Sequence, residues 1–352
     1  MVTYRAARDE ELESCIALQH LVFRPDQADA PVRYRSYVRE DPTYQYGQTR
    51  IALIDDQIVA HLRVWDRKLA IRGQTITAGG IGSLLTHPDF RGQGIASGLL
   101  ADTENYFKEV EYDIGLLFSI IGTPYYAMRG WSPVPVSTFE INVGIDVPVR
   151  DTVTRQLVLH DDIDAVRQLH IQCFSEYTGT ELRDEAYCST GPARYRSVFP
   201  RVGVERRGKL SGYINWDIVN ERVWVVECCA ETDDDYADLA TLVIQATRDV
   251  RSASILGSLP KGHGLIAPLE SATQNVVEWS THDEMMVKIS RWDLLRKKLE
   301  DGTPGLPEEL PNEQAEIDAF WRVLLGNSEE NSDWCKKLGA CSPTFYWWTD
   351  FF

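Results

Sequence analysis

The stretch Leu84–Ala96, which reads LLTHPDFRGQGIA, constrains the fold of this chain more than any other stretch. Pro88 cannot donate a backbone hydrogen bond and disfavours helical geometry at His87, so a preceding strand must end here. From Ile95 onwards the apolar or buried-type residues recur at helical spacing, at Leu99, Leu100, Thr103, Tyr106, Phe107 and Val110. The stretch therefore predicts a strand, a glycine-bearing loop and the start of a helix.

The loop before the predicted helix is suited to phosphate. Arg91 supplies a positive charge, and Gly94 has no Cβ that would block a ligand. The first N–H groups of a helix have no partner within the helix, and the helix dipole is positive at that end, so such a terminus binds anions. The spacing Arg-x-x-Gly-x-Ala differs from both the three-glycine dinucleotide fingerprint and the P-loop.

This loop resembles the Gln/Arg-x-x-Gly-x-Gly/Ala signature of the GCN5-related N-acetyltransferases (GNAT), which hold the pyrophosphate of acetyl-CoA there. The resemblance covers residues 1 to about 150 and implies acetyl-CoA as the cosubstrate. It also implies that the strand end, the loop and the first helical turn bind that cofactor. The residues concerned are Leu84, Leu85, Thr86, Arg91, Gly92, Gln93, Gly94, Ile95, Ala96 and Ser97.

Three regions follow one another along the chain. Residues 1–150 alternate in the order β-α-α-β-β-β-α-β-α-β, which predicts a mixed sheet with helices on both faces. Residues 151–290 repeat that order, but their counterpart of the glycine loop, Glu231–Asp235, is acidic and would repel phosphate. Residues 291–352 form a C-terminal tail. We therefore predict an α/β fold with a mixed sheet: a tandem GNAT fold with a degenerate second copy, and a tail that docks into the cleft.

Acyl transfer to an amine needs a base for the acceptor, a donor for the oxyanion and an acid for the leaving thiolate. The segment Pro124–Trp131 is similar to the family's Tyr-x-x-x-Gly-Phe/Tyr/Trp segment, whose tyrosine protonates the thiolate. Tyr126 stands four residues before Gly130, as in that motif, and Tyr125 is its rival. The resemblance also implies that the strand end Ser83–Thr86 pairs with pantetheine and donates to the oxyanion.

Glycines in the same strand, at positions 79, 80 and 82, favour a bulge that frees backbone donors. Two histidines are candidate bases: His87 at the loop, and His61, which the sequence allows to be a surface residue. Glu227 and Glu231 could bind a cationic substrate, or they could form a solvated acidic rim.

The chain ends in an aromatic-rich run, Thr344–Phe352, which would be an aggregation risk if it were free. Two GNAT-like halves with such an end resemble the enhanced intracellular survival (Eis) group of aminoglycoside acetyltransferases. In that group the terminal carboxylate is the general base, so the resemblance implies this role for Phe352, with Asp350 or a histidine as the alternative. The 62 residues at 291–352 are too few for the third domain of that group.

Composition narrows the choice of partners. The net charge of −17, from 36 basic and 53 acidic residues, argues against nucleic acid and suits a cationic substrate, although solubility alone would also explain it. There is no leader-like start and no run of 18 apolar residues, so we expect a cytoplasmic protein without a membrane span. The seven cysteines show no metal-like spacing, so we expect reduced thiols and no metal.

The sequence thus predicts an acetyl-CoA-dependent N-acetyltransferase acting by direct attack in a ternary complex. The predicted acceptor is a small cationic amine such as an aminoglycoside, a polyamine or a lysine-like compound. Acetylation of a protein or peptide amine is one alternative. A non-catalytic CoA-binding regulatory module is another, and homo-oligomerisation is left open.

Overall fold

A computed structural model describes residues 1–41, 43–144, 146–175, 177–183, 202–250, 253–325 and 333–338. The aromatic chain end, with Asp350 and Phe352, lies outside these ranges. None of the described helices is both long enough and apolar enough to cross a membrane.

The first half follows the predicted order of elements. It comprises β1 (Thr3–Ala6), α1 (Leu12–Phe23), α2 (Ala30–Arg39), β2 (Thr49–Ile54), β3 (Gln57–Ile71), β4 (Gln74–Thr86), α3 (Ile95–Glu109), β5 (Ile114–Phe118), α4 (Pro124–Ala127) and β6 (Ser132–Asn142). Helix α3 packs its apolar face on β3 and β4. Leu99 and Phe107 meet Leu62 and Val64 there, all of them at most 2% exposed.

The second half repeats this plan with one exception. It comprises β7 (Thr154–Gln156), α5 (Leu159–Phe174), β8 (Thr180–Glu181), β9 (Val202–Arg206), β10 (Lys209–Val219), β11 (Arg222–Ala230), α6 (Asp233–Asp249), β12 (Ser254–Gly257), α7 (Ile266–Thr273) and β13 (Glu278–Ile289). Its described residues have β8, which pairs with β3, in place of a counterpart of α2. The described part of the tail adds α8 (Trp292–Leu299), α9 (Gln314–Leu324) and α10 (Asp333–Leu338).

The described strands form one continuous sheet in the order β1-β2-β3-β4-β5-β13-β6-β12-β11-β10-β9-β7, with β8 paired to β3. The last strand of each half has crossed to the other half. Strand β13 pairs with β5, where Met285 lies opposite Phe118, and β6 pairs with β12, where Phe139 lies opposite Gly257. Counted from each edge of the sheet towards its centre, the strand order is the same in the two halves. It is β1-β2-β3-β4-β5 in the first half and β7-β9-β10-β11-β12 in the second, each followed by the last strand of the other half. The boundary near residue 150 stays a prediction, but each half's sheet is completed by the other half.

The tail helices pack on the first half, on the face of the sheet opposite α3. Phe320 and Trp321 of α9 are fully buried in one cluster with Leu69 of β3 and Val134 of β6. The Arg72 guanidinium donates to the carbonyl of Leu338 at 2.6 Å. The end of α10 is therefore fixed to the first half of the chain.

Candidate active site

Strands β4 and β5 separate at one end, and this opening is the origin of the site. Their parallel pairing ends with Ile81 opposite Leu117, while β4 continues to Thr86 with only β3 beside it. Parallel strands that part in this way leave backbone N–H and C=O groups available to a ligand. An extended molecule can therefore add to β4 where β5 has ended.

The bulge in β4 lies at Ser83 and Leu84, not at the glycines that the sequence favoured. Arg63 pairs with Gly82 and His61 with Leu85, so two residues of β4 lie opposite a single residue of β3. Ser83 has a φ of 53°, the left-handed geometry that such a bulge uses. Gly79 is not part of the bulge. A side chain is excluded there because a Cβ would lie 2.4 Å from the ring of Phe107, so this glycine allows α3 to pack closely on β4.

The glycine loop opens directly onto the start of α3, as the sequence predicts. Gly94 is the N-cap residue and adopts a φ of 76°, and no side chain caps the helix start. A Cβ at Gly92 or Gly94 would meet nothing within 4 Å, so these glycines are required for their backbone conformation rather than for close packing. The Arg91 guanidinium donates to the Thr86 carbonyl at 3.3 Å, which keeps its charge beside the strand end. The uncapped N–H groups and this charge together form an anion site.

A cavity of about 480 Å³ joins the opening to the helix start. Its walls include nine of the ten predicted cofactor residues: Leu84, Leu85, Thr86, Arg91, Gly92, Gly94, Ile95, Ala96 and Ser97. Gln93 is exposed and does not line it. Both candidate tyrosines do line it. The sequence missed Val22, Phe23, Phe90 and Ile121, whose apolar side chains carry no motif.

Tyr126 lies at the inner side of this cavity, on the short helix α4. Its side chain is 8% exposed and belongs to the cluster beneath α3. Burial, together with the neighbouring Tyr125, raises the pKa of Tyr126 to about 12, although Arg129 opposes the shift. The phenol therefore keeps its proton at neutral pH and can act as an acid.

Tyr125 has a different environment. Its ring is covered by the Arg129 guanidinium, whose carbon lies 3.9 Å from the ring centre. The same guanidinium donates to the Ser97 hydroxyl at 2.5 Å, and the Tyr125 hydroxyl lies 3.4 Å from that hydroxyl. Tyr125 thus connects α4 to the first turn of α3.

Lys288 of the exchanged strand β13 holds the turn that follows Tyr126. Its ammonium donates to the Arg129 carbonyl and to the Glu104 carboxylate of α3, both at 2.7 Å. The other oxygen of Glu104 accepts the indole N–H of Trp131 at 2.9 Å. The second half of the chain therefore fixes the position of the turn after Tyr126 in the first, which the sequence alone did not indicate.

The two histidines differ from each other. His87 lies at the loop, as expected, and its Nδ1 accepts from the backbone N–H of Asp89 at 3.3 Å. His61 is not a surface residue, because it is only 2% exposed. Desolvation lowers its pKa to about 4, and its Nδ1 lies 3.3 Å from the Ser83 carbonyl. His61 therefore stays neutral and supports the bulge.

The corresponding loop of the second half leads into a helix start that differs from that of α3. Asp235 at the start of α6 is fully buried and accepts hydrogen bonds from the hydroxyls of Thr232 and Ser211, at 2.7 and 3.2 Å. Arg206 pairs with the same carboxylate at 3.1 Å. The Thr232 hydroxyl in turn accepts the backbone N–H of Asp235 at 3.2 Å, so a side chain caps this helix start, whereas none caps that of α3. The loss of a cofactor site in the second half stays a prediction.

The two glutamates that were candidates for binding a cationic substrate lie in different environments. Glu227 is fully buried and receives both arms of Arg183, at 2.8 and 2.7 Å, and the Tyr213 hydroxyl at 2.5 Å. It therefore does not face an open cleft. His170 and Cys229 place possible metal-ligand atoms within 4.8 Å of Glu227, but its carboxylate is already engaged. Glu231 lies at the surface near Lys209, at 3.5 Å.

Comparisons with known proteins agree with this geometry. Residues 3–134 match the family model of the acetyltransferase (GNAT) domain. The fold is similar to that of a probable N-acyltransferase of unknown function from Enterococcus faecalis, with 16% identity, coverage of 85% of this chain and 75% of that chain, and a TM-score of 0.68. It is also similar to Eis1 from Mycobacterium abscessus, with 13% identity, coverage of 82% and 74%, and a TM-score of 0.57. A third similar structure is the N-myristoyltransferase of Saccharomyces cerevisiae with bound myristoyl-CoA, with 11% identity, coverage of 82% of both chains and a TM-score of 0.54. The predicted GNAT fold is confirmed.

Replacing Lys288 by Met should lower kcat for acetyl transfer about tenfold, because small misplacements of a catalytic group are costly to rate. The KM for the acyl donor should change little, since Lys288 does not line the cavity at the start of α3. Lys288→Arg should restore part of the rate. Lys298→Met is the matched control: Lys298 pairs with Asp113 at 2.6 Å and has no contact with the turn after Tyr126 among the described hydrogen bonds. It should lower the melting temperature without lowering kcat. Equal losses of kcat in both methionine variants would contradict a role in positioning.

Proposed function

Because residues 3–134 match the family model of the acetyltransferase (GNAT) domain, we propose that this chain transfers the acetyl group of acetyl-CoA to the amine of a small cationic substrate. One observation carries the proposal: a single cavity combines an uncapped helix start, an unpaired length of β4 and a protonated tyrosine. These are the parts that anion binding, thioester alignment and leaving-group protonation require. The net charge of −17 favours the approach of a cation.

The cofactor binds in two portions. Its pyrophosphate accepts from the backbone N–H groups of residues 92–96 and from Arg91. Its pantetheine arm adds to β4 along Leu84–Thr86, where β5 no longer provides partners. The bulge at Ser83 supplies a backbone donor for the carbonyl oxygen of the thioester, which becomes negatively charged as the amine attacks.

The reaction is a direct attack. The neutral amine adds to the thioester carbon, and its nitrogen gives up a proton to the general base. The tetrahedral intermediate then breaks its C–S bond, which leaves the neutral amide and the thiolate. Tyr126 donates its proton to the departing thiolate. Because the pKa of Tyr126 is raised to about 12, its phenol carries a proton at neutral pH before the transfer. The departing thiolate, whose thiol has an unperturbed pKa of about 8.5, takes this proton. Bulk water then restores the proton of the phenol.

The general base is the α-carboxylate of Phe352, with Asp350 or a histidine as the alternative. This part of the proposal rests on the sequence, because the chain end lies outside the described residues. Its support from the fold is the anchoring of Leu338 on Arg72. The 14 residues from 338 to 352 span at most about 50 Å when extended, enough to cross a small domain.

Changing Arg91 to Glu should weaken acetyl-CoA binding at least about tenfold, because a charge-assisted contact to phosphate becomes a repulsion. Isothermal calorimetry measures this directly. Asp233→Asn at the start of α6 is the matched control and should leave the affinity unchanged. An Arg91→Glu protein that binds acetyl-CoA as tightly as the wild type would disprove the assignment of the loop.

The central test is thiol release from acetyl-CoA over a panel of amines. Release should depend on the amine, and Tyr126→Phe should lower kcat by roughly a hundredfold or more, with the acetyl-CoA affinity unchanged. Tyr125→Phe is the matched control and removes only a hydroxyl near Ser97. If Tyr125→Phe is the inactive variant instead, the tyrosines exchange roles. If no amine stimulates release, the proposed activity is wrong.

Adding a few residues after Phe352 should lower turnover strongly, because the extension removes the terminal carboxylate and keeps every side chain. Melting curves would verify that the extended protein is folded. Truncation before Asp350 removes both candidate carboxylates and serves as the comparison. Full activity in the extended protein would exclude the terminal carboxylate as the base.

A further inference from the structure

Arg129 lies at the start of α3, where a positive charge is unfavourable. Its guanidinium donates to the hydroxyl of Ser97, in the first turn of α3, at 2.5 Å, and also to the Tyr125 carbonyl. It covers the Tyr125 ring, but it forms no ion pair with any carboxylate of the described residues. The helix dipole is positive at this end and disfavours a cation. Arg129 therefore occupies a place that a bound anion would make favourable.

The hydroxyl of Ser97 connects this charge to the cavity. An arginine side chain has only donors, so the Ser97 oxygen accepts from Arg129 and its own proton is left for another acceptor. Among the described hydrogen bonds, its one other partner is the Tyr125 hydroxyl. That oxygen lies 3.4 Å away, beyond the range of about 2.5–3.0 Å that is usual between hydroxyls. Because Ser97 lines the cavity at the start of α3, a ligand there is the better acceptor.

Phosphate is the ligand that gains most from this hydroxyl. A hydroxyl that accepts from a guanidinium becomes a stronger donor, because hydrogen bonds in a chain polarise one another. Charge-assisted hydrogen bonds are in turn roughly twice as strong as neutral ones. Arg91 approaches the same helix start from the loop before it. The start of α3 thus lies between two arginines, one of which acts through a serine.

Arg129 also belongs to the turn that carries Tyr126. Its backbone N–H donates to the Tyr126 carbonyl at 2.8 Å, and its own carbonyl accepts from Lys288 at 2.7 Å. Its charge opposes the rise in the pKa of Tyr126, so the guanidinium and the phenol lie close enough to interact. A single residue therefore contacts the first turn of α3 through its side chain and the tyrosine through its backbone.

We propose that Arg129 is a positioning residue through which the phosphates of the cofactor fix Tyr126. When a phosphate accepts the Ser97 proton, the hydrogen bond from Arg129 to Ser97 strengthens and holds the turn of Tyr126 against α3. An acyl donor without phosphate leaves this contact weaker and the phenol less well placed. Binding energy from a remote part of the substrate then appears in kcat, not only in KM. This inference rests on the proposed function and goes beyond it, because it makes turnover depend on the phosphates.

The test compares acetyl-CoA, S-acetyl-4′-phosphopantetheine and S-acetylpantetheine, of which only the last has no phosphate. Thiol release is measured with the amine that acts fastest with acetyl-CoA. In the wild type, kcat should be about tenfold lower for S-acetylpantetheine than for the two phosphorylated donors, because a misplaced catalytic group is costly to rate. Arg129→Met should lower kcat about tenfold for both phosphorylated donors and less than about twofold for S-acetylpantetheine.

Arg50→Met is the matched control. Arg50 also covers a tyrosine ring, that of Tyr106, and pairs with α3 at Asp102 at 2.6 Å, but this contact lies further along the helix. Its loss should lower the melting temperature and leave the ratios of kcat between the donors as in the wild type. Ser97→Ala should reproduce the effect of Arg129→Met. The double variant should be no worse than either single variant, because the two residues act as one unit.

An equal loss of kcat with all three donors in Arg129→Met would indicate a purely structural role and overturn the inference, as would no loss with any donor. A loss confined to acetyl-CoA would assign Arg129 to the nucleoside part and also overturn it. None of these results affects the proposed acetyl transfer.

If the wild type releases no thiol with any amine, the proposed function fails. Calorimetry with CoA then decides whether Arg129 acts on the phosphates. Binding that is about tenfold weaker in Arg129→Met, but unchanged in Arg50→Met, would support this contact. Equal affinities in the two variants would overturn it.

Discussion

The backbone hydrogen bonds between β5 and β13 are the constraint on which the rest of the structure depends. Strand β13 comes from the second half, yet it covers the open edge of the first half's sheet. The same strand carries Lys288, which holds the turn after Tyr126. The pairing of β13 with β5 therefore joins the two halves and fixes the position of α4 near the opening between β4 and β5.

The helix starts of α3 and α6 differ in only a few residues, yet only the start of α3 is suited to an anionic cofactor. Both place a helix start after a strand, with the same dipole and the same free N–H groups. In the first half, Gly94 leaves that terminus open. In the second half, Asp235 is buried there between Thr232, Ser211 and Arg206. The Thr232 hydroxyl caps this helix start, and the buried carboxylate places a negative charge beside it, so the second half keeps the fold with a terminus that disfavours an anion.

Features that depend on local chemistry could be predicted from the sequence. The helix start at Gly94 and the position of Tyr126 beside the cavity follow from neighbouring residues alone. The strand exchange could not be predicted, because a strand's alternation shows which face is buried and not which strand is its neighbour. Burial of His61 and the bulge at Ser83 depend on pairing across β3 and β4, and the contact of Lys288 with the turn after Tyr126 depends on β13 lying beside β5.

The exchanged strand also has a consequence for biosynthesis. Strand β5 ends at Phe118 and β13 begins at Glu278, 160 positions later. At about 5–20 residues per second, a ribosome needs roughly 8–30 s to supply those residues. During that interval the edge of β5 has no partner, and unpaired edges of this kind associate with other strands. The growing chain, rather than the finished protein, is therefore the form most exposed to aggregation.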